Sequence, residues 1–192
     1  MMIKKLSLEE TSIGGLYKVK PFYADDSRGS FIKDYSEEVF LSKGVGYSIR
    51  EVFYTRSFKG TVRAMHFQRV KQQPKLVRCI CGHVFDVVVD LRVESPTFKK
   101  WLAFDLDDRD NIELLIPSRC AHGYLVLEDS IVSYKCAEKF YAEYDDGIIW
   151  NDKDIGIEWP LELIGGAEKV ILSEKDMKLQ SFYEFMEKYD EF

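Results

Sequence analysis

The stretch "RAMHFQ", Arg63 to Gln68, sets a histidine between a methionine and a phenylalanine. It follows "EVFYTRSFKGTV", which reads as β-strand. An imidazole in that setting has three uses: a proton base, a metal ligand, or a hydrogen-bonded member of the core. The chain has three histidines, His66, His83 and His122. None of the spacings that usually disclose a metal site, HxH, HxxE or HExxH, occurs among them. Proton transfer needs a partner to orient the imidazole, and 33 acidic residues offer many. The run "KLVRCICGHVFDVVVDLR" also sets Lys75, Arg78, Asp86, Asp90 and Arg92 among apolar neighbours, where charges are either paired or functional. From these residues alone His66 stays open among its three uses.

The elements that must position such residues are mostly strands. "KLVRCICGHVFDVVVDLRVESPTFKKWLAFDL" holds three β-branched and aromatic runs, broken at "CGH" and "ESPTF" by Gly82 and Pro96. "NIELLIP", "AHGYLVLED" and "SIVSYKCA" continue the pattern as further short strands. Short strands at regular spacing, with no long helical pattern between them, indicate a sandwich or barrel. Helical signals sit toward the ends. "SEEVFLSKG" has Ser36 as an N-cap and Gly44 as a stop. "SEKDMKLQSF" pairs Ser173 with Asp176 three residues on, as in a capping box. In "QSFYEFMEKYDEF", Phe182, Phe185, Met186 and Tyr189 fall on one helical face, which must dock on its own barrel or on a partner.

Composition narrows the class. A chain of 192 residues with 46% hydrophobic and 31% charged residues is ordinary globular material, read as one domain over residues 1–192. A net charge of −6 argues against a nucleic-acid or anionic-membrane binder, while leaving room for a local basic pocket. "MMIKKLSLEE" lacks the apolar stretch of a secretory signal, and no run approaches the roughly 18 residues of a membrane helix. The four cysteines, Cys79, Cys81, Cys120 and Cys136, form no CxxC. Cys79 and Cys81 are expected on one strand face, with the thiols buried and unpaired and the protein cytoplasmic.

Five segments, in order, resemble the dTDP-4-dehydrorhamnose 3,5-epimerase family. They are "DDSRGSF", "TVRAMHFQ", "QPKLVRCICGHVFDVVVDLRVESPTFKKW", "IPSRCAHGYLVL" and "YKCAEKFYAEYDDGIIWNDKDIGIEWP", with "LSEKD" following near the C-terminus. The resemblance implies an all-β fold: a cupin-type jelly-roll barrel or sandwich with short flanking helices and a C-terminal helix. It also implies a homodimer with an exchanged strand, and an enzyme that inverts C3 and C5 of a nucleotide-linked 4-keto-6-deoxy sugar. The default reaction converts dTDP-4-dehydro-6-deoxy-glucose to dTDP-4-dehydro-rhamnose through an enolate, with no cofactor and no metal. His66 matches the family's base, Asp176 the carboxylate that orients it, Lys75 a cation beside the developing enolate, and Tyr134 the acid on the opposite face. Arg28 and Arg63 match arginines at the pyrophosphate, where a guanidinium fork suits phosphate oxygens. His122 matches a supporting histidine, and Phe31 and Gln68 fall in the same substrate-contacting segments.

Departures from the family pattern cluster. Lys33 stands where a glutamate is usual, Glu51 and Phe53 replace a Gln-x-Asn pair, Ala64 replaces a glycine, and Phe140, with Tyr141 beside it, replaces a tyrosine. Lys33, Glu51 and Phe53 fall where relatives hold the nucleoside, so an altered base edge is expected there. The alternative is a C3-only epimerase, or one acting on a GDP- or CDP-linked hexose or heptose. Trp150 and Trp159 read as structural.

Overall fold

The first two of the three runs between Lys75 and Leu106 turn out to be one strand. In the computed structural model, which describes residues 2–189, the chain continues through Gly82 without a turn. Gly82 takes φ 82°, and the pairing register shifts opposite it, which marks a β-bulge. The bulge reverses the side-chain alternation. Val77 and Cys79 before it therefore face the same interior as Val84 and Val88 after it. A second register shift, between the partners of Cys81 and Cys79, separates two cysteines expected together: Cys79 is buried and Cys81 is exposed, and all four thiols are free.

The strands are β1 (Ile3–Lys4), β2 (Ser7–Glu10), β3 (Tyr17–Lys20), β4 (Phe22–Asp26), β5 (Gly29–Lys33), β6 (Glu51–Ser57), β7 (Val62–Gln68), β8 (Lys75–Asp90), β9 (Trp101–Asp107), β10 (Glu113–Ile116), β11 (Cys120–Cys136) and β12 (Asp145–Gly147). Two short helices, α1 (Glu37–Ser42) and α2 (Phe182–Lys188), accompany them. "AHGYLVLED" and "SIVSYKCA" are likewise one strand, β11, bent by its own register shifts. The large sheet runs β12-β7-β11-β8-β10-β3-β2, with β6 also on β11 and β9 on β8, while β1-β4-β5 form a separate small sheet. Along its free edge β11 pairs first with β7 and then with β6, so three strands converge on one interior.

This is an all-β, cupin-like sandwich. Val77, Val84, Val88, Tyr124, Val126 and Val132 fill its interior. Its outer face is covered by the C-terminal segment, where Trp159, Phe182 and Phe185 pack on Val62, Phe67, Val87 and Val89. The apolar face of α2 thus docks on its own sheet, with Met186 and Tyr189 against the same cluster; residues 190–192 of that stretch lie outside the described residues. Ser181 and Glu184 form the capping box of α2. Ser36 sits at the N-cap of α1 but makes no side-chain cap. Trp159 Nε1 donates to the Trp150 carbonyl at 2.8 Å, which accounts for both tryptophans structurally. Of the strand charges, Arg78 is paired with Asp34, Asp86 with His122, and Asp90 with Arg92. Burial opposes ionisation of Asp90, yet hydrogen bonds from Arg92, Ser95 and Thr97 hold its carboxyl at about 2. No helix among the described residues is long and apolar enough to cross a membrane.

One close approach positions the site. The register between β7 and β11 shifts between His122 and Tyr124, so Tyr124 faces Arg63 while His122 faces His66. Gly123 lies at the shift, where an added Cβ would come within 2.3 Å of the Ala64 Cβ and 2.8 Å of the Arg63 carbonyl oxygen. Gly123→Ala is expected to cost about 1–3 kcal/mol by overpacking two buried backbones. The check is a lower urea midpoint at an unchanged m-value; an unaltered midpoint would mean that β7 is free to move.

Candidate active site

The interior opens into a cavity of about 190 Å³ where β6, β7, β8 and β11 meet. Strand alternation puts Phe53 with Thr55 on one face of β6 and His66 with Gln68 on one face of β7. The register shift between β7 and β11 brings Arg63, three residues before His66, to the same cavity. β6 supplies Phe53 and Thr55, β7 supplies Arg63, His66 and Gln68, β8 supplies Lys75, and β11 supplies His122 and Tyr134. Residues far apart in sequence thereby share one wall.

His66 is held from outside the sheet. Asp176, on a 3-10 turn at Asp176–Lys178, accepts from His66 Nε2 at 2.6 Å. An ionised carboxylate is acceptor-only, so the Nε2 proton points at Asp176 and the Nδ1 lone pair is the ring's basic site. The capping reading of Ser173 is half right. The Asp176 backbone N–H does donate to Ser173 Oγ at 3.0 Å, but the Asp176 carboxylate goes to the histidine instead of capping the turn.

A second imidazole-carboxylate pair lies deeper. His122 Nε2 donates to Asp86 Oδ2 at 2.8 Å, and both side chains are buried. Burial raises the Asp86 carboxyl, against the pull of His122 and Lys75. Burial likewise lowers the Lys75 ammonium, while Cys136, Asp145 and Asp86 push it back up. The Tyr134 phenol is driven well above its ordinary range by burial first, then by Tyr124 and Asp86. A phenol so shifted stays protonated and is a hydrogen-bond donor. Arg63 Nε donates to Ser57 Oγ at 3.0 Å, and the residue lines the cavity.

Other expected contacts fall differently. Gln68 lines the cavity, but its amide is engaged within the chain. Nε2 donates to the carbonyls of Lys71 and Lys139, and Oε1 accepts from Tyr141 N–H at 2.6 Å. Glu51 Oε2 accepts from Phe140 N–H at 2.8 Å. Gln68 and Glu51 therefore hold the loop that presents Phe140 at the cavity, and Glu51 itself does not line it. Arg28, Phe31 and Lys33 do not line this cavity at all. They belong to the β4–β5 hairpin, where Arg28 pairs with Asp26 at 2.6 Å and, with Phe31, borders a separate hollow of about 440 Å³. Lys33 Nζ lies 5.7 Å from the centre of the Phe22 ring. His83 is paired with Asp105 at 2.7 Å, away from the cavity.

Sequence reading missed Asp86 as the partner of His122, although it marked Asp86 as a charge needing one. It also missed the ion pair of Lys175 with Asp145 at the cavity wall. That pair joins residues 30 apart on a loop and a three-residue strand, and no periodicity announces it. Among the described residues, no cluster of three or more His, Cys, Asp or Glu side chains is arranged to hold a metal ion.

Comparison with known proteins decides the family. The sequence profile of the dTDP-4-dehydrorhamnose 3,5-epimerases matches residues 10–184. The chain belongs to that family. It is 44% identical over 168 residues to the dTDP-4-dehydrorhamnose 3,5-epimerase of Methanothermobacter thermautotrophicus, covering 87% of this chain and 89% of that one. The crystal structure of the Bacillus anthracis epimerase, with TDP and PPi bound, superposes with a TM-score of 0.86 at 36% identity, over 93% of this chain and 100% of that one. The Legionella pneumophila dTDP-6-deoxy-D-glucose-3,5-epimerase, in complex with dTDP-4-keto-L-rhamnose, gives 0.86 at 31% identity, over 92% and 93%. Membership in this epimerase family and the cupin-like sandwich agree with the reading from sequence.

Proposed function

We propose that the chain is a 3,5-epimerase that converts dTDP-4-dehydro-6-deoxy-glucose to dTDP-4-dehydro-rhamnose. The observation that carries the reading is the His66–Asp176 pair at 2.6 Å on the wall of a cavity that also holds Lys75 and Tyr134. Hydrogens on C3 and C5 are α to the C4 ketone, so the substrate is its own electron sink. His66 Nδ1 takes one such proton, and the imidazolium is stabilised by Asp176. Negative charge collects on O4, where a buried ammonium such as that of Lys75 is worth far more than in water. Tyr134 delivers a proton to the opposite face, which completes inversion, and both groups then re-equilibrate with solvent. The chemistry calls for neither a metal nor a redox partner. Arg63 is assigned to the pyrophosphate, and His122, fixed by Asp86, to support of the site. The Bacillus anthracis and Legionella pneumophila structures named above hold TDP and dTDP-4-keto-L-rhamnose, which favours thymidine over guanosine or cytidine.

A homodimer completes the pocket in this reading. Arg28 is 88% exposed at its side chain and Phe31 62%, on a hairpin that stands apart from the main sheet. We assign these residues and Lys33 to the nucleotide side of a second copy's cavity. Free thiols at all four cysteines suit a reducing compartment, and we place the enzyme in the cytoplasm.

The test is solvent-proton uptake. Incubated in D2O with dTDP-4-keto-6-deoxyglucose, the protein is expected to place deuterium at both C3 and C5, read by NMR. Uptake at C3 alone would replace the reading with a single-centre epimerase, and uptake at neither carbon would overturn it.

A further inference from the structure

Phe53 has a place in the site that its sequence neighbourhood does not explain. In the antiparallel pairing of β6 with β11 it lies directly opposite Tyr134. The two rings stack in parallel, with centroids 4.7 Å apart and planes 14° from each other. The His122 ring meets Tyr134 differently, edge-on at 6.0 Å and 72°. Two residues along β6, on the same strand face, Thr55 Oγ1 is hydrogen-bonded to the Tyr124 hydroxyl at 2.8 Å, and Tyr124 is the phenol that acts most strongly on Tyr134. Phe53 is 38% exposed and Tyr134 only 8%, so the phenylalanine stands between the tyrosine and solvent. A parallel stack constrains the ring plane, and an edge contact alone does not. The family pattern has an amide at this position, which would neither stack nor exclude water as a flat apolar face does.

We infer that Phe53 is a positioning residue for Tyr134, and that by fixing the phenol it sets how often an enolate is protonated with inversion rather than with return. The inference rests on the reading of His66 as base and Tyr134 as acid. The proton balance shows why the two outcomes separate. His66 removes the α-proton, and the electron pair moves onto O4. If the imidazolium, after exchanging with solvent, gives a deuteron back to the same face, the sugar is labelled with its configuration unchanged. If Tyr134 gives its proton to the other face, the centre inverts and the phenolate recovers a proton from solvent. The first route needs only His66 and Asp176. The second needs the phenol in place, and a misplacement of about 1 Å is worth up to about 100-fold.

The experiment compares the wild type with Phe53→Ala and Phe53→Tyr in D2O, scoring deuterium in recovered substrate against deuterium in inverted product. Phe53→Ala is expected to lower the inverted-to-returned ratio by about 10–100-fold while total deuterium uptake changes by about threefold or less. Phe53→Tyr, which keeps the stack, is expected to restore the ratio. A general loss of structure would lower both routes together, so an unchanged ratio in Phe53→Ala overturns the inference. A second readout is independent of turnover. In protein carrying 13C-labelled tyrosine rings, the Tyr134 signals, assigned by their absence in Tyr134→Phe, are expected to show slow ring flipping in the wild type and averaged signals in Phe53→Ala. Equal flipping in both would also overturn it. Absence of deuterium uptake by the wild type would instead strike the epimerase reading, and the ring-flip comparison would still decide whether Phe53 positions Tyr134.

Discussion

Asp176→Asn is expected to leave the sandwich folded and to lower turnover by about two to four orders of magnitude, the range that a positioned acid-base group contributes. The carboxylate oxygen at 2.6 Å does two things for His66. It accepts the Nε2 proton and so fixes the tautomer with Nδ1 basic, and it offsets the charge that the ring acquires once it has taken the substrate proton. An asparagine that turns its NH2 toward the ring would favour a proton on Nδ1, the opposite tautomer. The backbone N–H of residue 176 would still donate to Ser173 Oγ, so the 3-10 turn survives the change. Thermal midpoint and kcat are measured on the same preparation. A variant within about tenfold of wild type at an unchanged midpoint would remove Asp176 from the proton-transfer step. His66→Ala is expected to abolish deuterium uptake altogether, because it removes the base from both the returning and the inverting routes.

How much of this was legible in the sequence depends on distance along the chain. The strand content and the role of "QSFYEFM" are local properties, set by β-branched runs and a 3.6-residue repeat, and they survive folding. Gly82 misled because a glycine between two apolar runs has two uses, a turn or a bulge. Its choice is made by Asp129 and Ser130 on the facing strand, whose atoms leave no room for a Cβ. The His66–Asp176 contact spans 110 residues, and nothing in the spacing of either residue encodes it; only the family's ordered motifs linked them. The same resemblance named Gln68 and Glu51 by position, but their hydrogen bonds run to the backbone of the loop at 139–141, where this chain has Phe140 in place of the usual tyrosine. A motif carries over a residue's position, whereas its partners are set by neighbours that have themselves changed.

The largest expected effect on stability lies on the other face of β11, one residue from Tyr134. Lys135 Nζ reaches Glu113 Oε1 at 2.6 Å and Asp34 Oδ2 at 2.8 Å with its side chain 12% exposed. Arg78 shares Asp34 at 3.3 Å and holds Asn111 Oδ1 at 2.5 Å. Burial pushes the Glu113 carboxyl up to about 7 against the pull of Lys135, with Asp34 pushing the same way as burial and Arg78 opposing it. Folded Glu113 therefore holds a proton that the unfolded chain has lost between about 4.5 and 7. Its contribution to stability is full below that window and falls as pH rises through it, by up to about 1.4 kcal/mol per pH unit. Lys135→Met removes the cation that makes ionised Glu113 tolerable. The expected cost is about 3–5 kcal/mol at pH 8, the range for stranding one member of a buried pair. It shrinks at pH 5, where the carboxyl is protonated and needs no counter-charge. Urea unfolding at the two pH values measures this directly, and adding Glu113→Gln to Lys135→Met is expected to recover most of the loss at pH 8. An equal cost at both pH values would show that Lys135 stabilises by packing and by Asp34 alone. Asp34 follows directly on β5, so this cluster is also where the hairpin bearing Arg28 and Phe31 is fastened to the sheet that carries Tyr134.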